Sequence, residues 1–308
     1  MHASLPLAHE SKIFIIKILL IYVLSLFFAT LFGPWVMDLV GIWHLEDPSK
    51  LTTYLMRKPL GVYMDRLRLI FCLLGLVFLY RKHKCIFKAP FAFASWDSFS
   101  LKTFLGYFAL GLGMVGVIGA TQVFSGSTTL KPLEMNILYS ITLKALCAGL
   151  LAAFLEEYLF RGLLFRSFSA FCRWPWAIGF SSLIFAWLHF RAPVDPSIPE
   201  PFWVLFWRLL IGPFNQPLEL PFQLPFLNLL LLGSFLSFIY HYRYRLIVPI
   251  AFHWSVASAC LAFKKISFTI FDNFVIGSNR ITDGLLTTAL LLGLNLWGYL
   301  KIKKTSAS

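Results

Sequence analysis

The chain has 308 residues, of which 58% are hydrophobic, 18% aromatic and only 13% charged, and its mean hydropathy is +0.75. Soluble domains carry about 25% charged residues, so the composition excludes a water-soluble protein and predicts an all-α, polytopic membrane helical bundle. The formal net charge of +13 reads, in such a chain, as orientation and contact with membrane lipid of anionic headgroup, and not as nucleic-acid binding.

Lys12 and Lys17 precede an apolar run that reaches about Gly33. A secretory signal peptide is one reading of it. An uncleaved signal anchor is preferred, because the run is long and no small-x-small cleavage site follows. Gly33-Pro34 is expected to end this helix and residues 34–60 to form a mixed-charge loop. A second span is predicted over Leu60–Tyr80, stopped by Arg81-Lys82-His83-Lys84, and a third over Thr103–Phe124. The third contains Gly111-Leu112-Gly113-Met114-Val115-Gly116, a formal GxGxxG. No βαβ unit surrounds it, so these glycines read as helix-packing positions, not a nucleotide site.

A fourth span covers Ile141–Phe168, and a short connection, Ser169–Trp174, leads to a fifth over Trp174–Phe190. A Pro-rich loop, Arg191–Pro225, follows. Within it Phe202–Ile211 is apolar but too short to span, which predicts an interfacial or re-entrant segment. Three more spans are predicted over Phe226–Tyr240, Leu246–Phe263 and Asp283–Leu300, about eight in all. The chain divides accordingly into N-terminal spans (1–140), a core (141–265) and a last span (266–308).

An inside N-terminus places Arg81, Lys82, Lys84, Lys88, Arg166, Arg173, Arg243, Arg245, Lys301, Lys303 and Lys304 on short cytoplasmic segments. The outer loops carry Lys50, Arg57, Lys58, Lys131, Arg191, Arg208, Lys264, Lys265 and Arg280, spread over more residues and mixed with acids. Both termini are therefore expected in the cytoplasm. No N-x-[ST] acceptor is present, and a bacterial inner membrane is the expected location. Cys72, Cys85, Cys147, Cys172 and Cys260 show no disulfide or zinc-ribbon spacing and read as small core residues.

The fourth span contains Leu155-Glu156-Glu157-Tyr158-Leu159-Phe160-Arg161-Gly162. Ionisable groups at bilayer depth cost at least about 2.5 kcal/mol each and usually mark a function. Glu157 and Arg161 are four residues apart on one helix face and neutralise one another. Glu156 is rotated by about 100° and lacks that partner. At 1.5 Å per residue, Glu156 lies about 18 Å above the cytoplasmic end of its helix, His189 about 22 Å and His253 about 12 Å.

A carboxylate and two histidines at related depth fit two chemistries. One is a His2Glu zinc site that activates water. The other is metal-free, with Glu156 as base and the histidines sharing the water and holding the oxyanion. Taken singly, each histidine reads more readily as a hydrogen-bonded structural group, and Glu157/Arg161 as an internal brace. The combination at matched depth is what points to chemistry.

Glu156-Glu157-x-x-x-Arg161, then Phe185-x-x-x-His189, then His253 resembles the intramembrane CAAX-protease and bacteriocin-processing (CPBP, or Abi) family, over residues of about 140–265. The resemblance implies a membrane-embedded endopeptidase of the glutamic type, acting on a protein or peptide substrate without a cofactor, with zinc as the minority option. It implies that Glu156 and His189 activate the water, that His253 holds the oxyanion, and that Glu157, Arg161 and Phe185 support them. The family's third motif continues His-x-x-x-Asn, whereas this chain has Ala257. That departure leaves Ser255, Ser258 or a backbone N–H as a substitute donor, or a catalytically weak or inactive member acting as a membrane scaffold or immunity factor. A proton-coupled transporter ranks third, because the sequence shows no clear inverted repeat or broken helix pair.

Overall fold

The structure, a computed structural model, describes residues 5–84, 86, 101–190, 201–219, 222–243 and 245–307. Cys85, Lys88, Arg191 and the first part of the Pro-rich loop, 191–200, lie outside the described residues. The chain forms two compact units. The first comprises Met1–Ala3, Ile86–Trp187 and Glu219–Ser308, and the second Ser4–Cys85 and Leu188–Leu218.

The second unit is built on α1 (Leu5–Glu46), with α2 (Lys50–Met56), α3 (Leu60–Lys82) and α8 (Phe202–Asn215). Pro34 does not end α1, contrary to the sequence expectation; the helix continues for 42 residues with the proline inside it. Proline removes one backbone donor but leaves the helical φ intact, so packing can carry the chain through it. Here Met64 of α3 closes on Gly33, where a Cβ would meet Met64 Cγ at 2.6 Å. The expected loop is thus the end of α1 followed by α2, whose first turn is capped by the Ser49 hydroxyl accepting from the Thr52 N–H. The segment predicted as interfacial is α8. Its Leu205 and Phe206 are buried while Trp203, Val204, Trp207 and Phe214 are exposed, and Phe206 meets Phe27 of α1 edge-on at 5.7 Å.

The first unit contains α4 (Leu101–Phe124), β1 (Thr128–Leu130), α5 (Met135–Glu157), a π-helix (Tyr158–Phe165), α6 (Arg166–Ser169), α7 (Trp174–Leu188, whose last residue falls in the other unit), α9 (Gln223–Arg243), α10 (Ile247–Ile266), β2 (Ser267–Thr269) and α11 (Leu285–Ala307). Helix α10 is its centre, packed between α4 and α5. Two glycines permit the approach. A Cβ on Gly111 of α4 would sit 2.9 Å from the Phe252 carbonyl, and one on Gly149 of α5 would sit 2.8 Å from the Ser258 amide. Close backbone contact of this kind is the usual basis of helix association in lipid. Of the glycine run read as packing positions, Gly111 serves that purpose, whereas Gly113 and Gly116 face open space.

Polar side chains finish the end of this unit opposite the α5–α7 turn. Gln122 donates to the carbonyls of Ile276 and Ser278. Asn228 donates to those of Thr282 and Gly284. Strands β1 and β2 pair antiparallel, Thr128 opposite Thr269 and Leu130 opposite Ser267. This short sheet is absent from the all-α expectation, because three residues per strand give no period to read.

Among the described residues six helices are long and apolar enough to cross a membrane: His9–Glu46, Leu101–Phe124, Met135–Ser169, Gln223–Arg243, Ile247–Ile266 and Leu285–Lys304. The other two predicted spans are present as helices. Leu60–Lys82 has the length but carries Asp65, Arg66 and Arg68, and Trp174–Leu188 has only 15 residues. An all-α polytopic bundle is what the chain forms.

The packing of α10 sets a first prediction. Gly149→Ala is expected to cost about 1–3 kcal/mol by overpacking, lowering the thermal midpoint of the detergent-purified protein. Gly113→Ala, with nothing within 4 Å of its new methyl, is expected to leave the midpoint unchanged or raise it. Equal midpoints for the two variants would refute the close approach of α5 and α10.

Candidate active site

Helix α5 carries Glu156 and Glu157 as its last two residues, and the π-helix starts immediately after them. Such segments widen the turn and recur at functional sites. This one is fastened from outside, with the Ser181 hydroxyl of α7 donating to the Phe160 carbonyl at 3.0 Å. All residues from Phe160 to Phe165 are buried.

Glu157 and Arg161 are both fully buried, and Arg161 Nη1 donates to Glu157 Oε1 at 2.8 Å. Arg161 Nη2 donates to the Gly233 carbonyl of α9 at 2.9 Å. The guanidinium lies over the Phe185 ring at 4.7 Å, and that ring meets Phe160 edge-on at 5.1 Å. Arginine's planar fork suits this arrangement, with hydrogen bonds in its plane and an aromatic face against it. The glycine at 233 lets the two helices close. A Cβ there would fall 3.2 Å from Ser182 and 3.1 Å from Phe185.

His253, the seventh residue of α10, faces the same cluster. Its Nδ1 lies 2.7 Å from Glu157 Oε1, and its ring meets Phe185 at 6.0 Å. An ionised carboxylate only accepts hydrogen bonds, so the Nδ1 proton resides on the histidine. The other ring nitrogen, Nε2, is thereby turned to Glu156, 3.8 Å from its Oε2. The two carboxylates differ sharply in access. The Glu157 side chain is 0% exposed and the Glu156 side chain 31%.

The structure therefore gathers Glu156, Glu157, Arg161, Phe185 and His253. The depth difference anticipated between Glu156 and His253 closes, with His253 Nε2 3.8 Å from Glu156 Oε2. His189 follows α7 directly, is exposed, and falls in the segment assigned to the second unit. Gly233 and Ser181 are participants that the sequence reading missed. A lone glycine in an apolar span was the available signal for the first, and Ser181 offered none.

Ser255 and Ser258 lie away from this centre. The Ser255 hydroxyl donates to the Phe252 carbonyl at 2.8 Å and faces Gly111, while Ser258 is buried against Gly149. Ala257, one α-helical turn beyond His253, is half-buried. Among the described residues, no three His, Cys, Asp or Glu side chains are grouped so as to hold a metal ion.

A buried arginine–glutamate–histidine chain ending at a second, more accessible glutamate lies inside the bundle of apolar helices of a multi-pass membrane protein. Residues 138–259 match the family model described as Type II CAAX prenyl endopeptidase Rce1-like. Over those residues the chain carries an Rce1-like domain, similar to the CAAX-protease and bacteriocin-processing family. The matched segment contains Glu156, Glu157, Arg161, Phe185, His189 and His253. No curated protein and no solved structure matches the chain.

Removing one member of a buried ion pair strands the other charge and costs about 3–5 kcal/mol, whereas replacing both by groups of similar volume is often neutral. Arg161→Met is therefore expected to destabilise the purified protein by about that amount. The double variant Glu157→Gln/Arg161→Met is expected to recover most of it. Thermal unfolding in detergent checks this, and a double variant no more stable than Arg161→Met would show that the pair is not coupled.

Proposed function

We propose that the chain is an intramembrane endopeptidase of the glutamic type, hydrolysing a peptide bond of a protein or peptide substrate presented at the membrane. The observation that carries this reading is His253 held between two unlike carboxylates, Glu157 sealed and charge-paired, Glu156 accessible. Glu156 takes a proton from water, and the hydroxide adds to the scissile carbonyl carbon. The carbonyl oxygen becomes an oxyanion, facing His253 Nε2 when that nitrogen carries a proton. Collapse breaks the C–N bond, and the proton on Glu156 passes to the departing amine. His189, by resemblance to the family, shares the water with Glu156. Both termini are assigned to the cytoplasm by the distribution of lysine and arginine.

Loss of a general base costs about 10²–10⁴-fold in rate. Glu156→Gln is expected to lose at least the lower figure while keeping the wild-type thermal midpoint. A quantitative comparison of peptide termini in membranes expressing the wild type or Glu156→Gln at matched levels is the direct test. Termini present only with the wild type establish proteolysis and identify the substrate. Identical termini in the two membranes would remove the endopeptidase reading. Activity is expected to persist after exhaustive chelation, and a loss restored by zinc would move the activation of water to a metal.

A second reading, a non-catalytic member serving as scaffold or immunity factor, is favoured by Ala257 together with the Ser255 hydroxyl donating to the Phe252 carbonyl and Ser258 packing against Gly149. The two readings separate at this position. One oxyanion donor is worth about 10²–10³ in rate, so Ala257→Asn is expected to raise the turnover of an active enzyme by up to that factor. A non-catalytic protein gains no turnover, and its biological activity survives Glu156→Gln.

A further inference from the structure

The α5–α7 turn lies at the end of the first unit where α4 starts, α9 ends and α11 ends. Ring contacts hold these parts together: Trp174 stacks on His241 at 5.7 Å and meets Tyr299 at 6.3 Å, and Tyr107 meets Trp297 at 6.2 Å. Lys102, Arg166, Arg173, Arg243, Arg245 and the lysines of α11 belong to this end, and no aspartate or glutamate does among the described residues. A rim of one sign raises the local concentration of anions, and juxtamembrane cations attract acidic headgroups.

One part of the rim has more than charge. Trp176 and Phe180 are spaced i, i+4 on one face of α7, and Arg173 immediately precedes its first residue. Trp176 is 64% exposed and Phe180 41%, and their rings are stacked at 6.0 Å. Phe168, from the preceding turn, meets Phe180 at 5.6 Å. Arg166 and Arg173 bracket that turn, both exposed. Two exposed arginines thus flank the turn from which an aromatic strip runs along α7.

We propose that this face is a binding site for one anionic phospholipid, its phosphodiester held by Arg166 and Arg173 and an acyl chain laid on Trp176 and Phe180. Guanidinium pairs with phosphate in a bidentate manner, and an aromatic strip continuous with the headgroup site separates a lipid from a soluble phosphate. Arg166 is also the first residue after the π-helix, so an occupied site braces the element that carries Arg161.

The test is native mass spectrometry of the full detergent-purified chain titrated with phosphatidylglycerol or phosphatidylcholine. One cation near a headgroup is worth about five-fold in affinity. The first phosphatidylglycerol is therefore expected to bind about 25-fold more tightly than phosphatidylcholine. Arg166→Gln and Arg173→Gln should each remove about five-fold of this, and Trp176→Ala should weaken both lipids alike. Lys303→Gln/Lys304→Gln, which alters the same rim away from the aromatic strip, should leave the preference intact. Three results would overturn the proposal: equal affinity for the two lipids, a loss in the lysine variant equal to that in the arginine variants, or displacement of the lipid by glycerol phosphate at matching concentration. The exposed Arg173 keeps the test independent of folding should Arg166→Gln be unstable.

Discussion

One oxygen atom, Glu157 Oε1, holds the core of this protein together. It accepts from Arg161 Nη1 at 2.8 Å and from His253 Nδ1 at 2.7 Å, joining the end of α5, the π-helix and α10. Arg161 extends the link to α9 through the Gly233 carbonyl. A carboxylate and a guanidinium in a sealed interior are tolerable only when paired and hydrogen-bonded. The need to keep them so fixes how four elements meet. Glycines at 149 and 233 then follow from geometry, since the helices must come close for these short bonds to form.

The same bond orients the groups of the proposed chemistry. With Nδ1 committed to Glu157, His253 presents a single nitrogen to Glu156, and its tautomer is set by a residue that substrate does not need to touch. The division between a buried, paired carboxylate and an accessible one arises within two consecutive residues. Adjacent helical positions point about 100° apart, so Glu157 is sealed between Arg161 and His253 while Glu156, 3.8 Å from His253 Nε2, keeps a partly exposed side. Phe185 adds a wall shared by Arg161 and His253, keeping the charge-bearing groups aligned without offering them an alternative hydrogen bond.

Much of this was legible in the sequence, for identifiable reasons. The i,i+4 spacing of Glu157 and Arg161 announces their pairing, and apolar runs of about 20 residues announce helices. The unequal roles of Glu156 and Glu157 follow from helical rotation alone. What could not be read depended on partners distant in the chain. His253 bonds Glu157 across 96 positions, and no local pattern encodes that choice over Glu156. Pro34 reads as a terminator, yet packing of Met64 on Gly33 carries α1 through it. The wider turn of the π-helix leaves no composition signal, and the groups that fasten it, the Ser181 hydroxyl of α7 and the Gly233 carbonyl of α9, are distant in the chain.

That wider turn also governs which changes the gene can absorb. A π turn accommodates roughly one residue more than an α turn, so the segment 158–165 stores extra chain length between Glu157 and the turn at Arg166. Losing a single codon there would relax the segment to α geometry and rotate whatever follows by about 100°. Arg161 would leave Phe185 and Gly233, and Phe165 its contact with Tyr240. Substitution on the exposed surface of α5 meets no such penalty. The residue count of this stretch is therefore under a constraint separate from its chemistry, and insertions or deletions are excluded where many replacements are not.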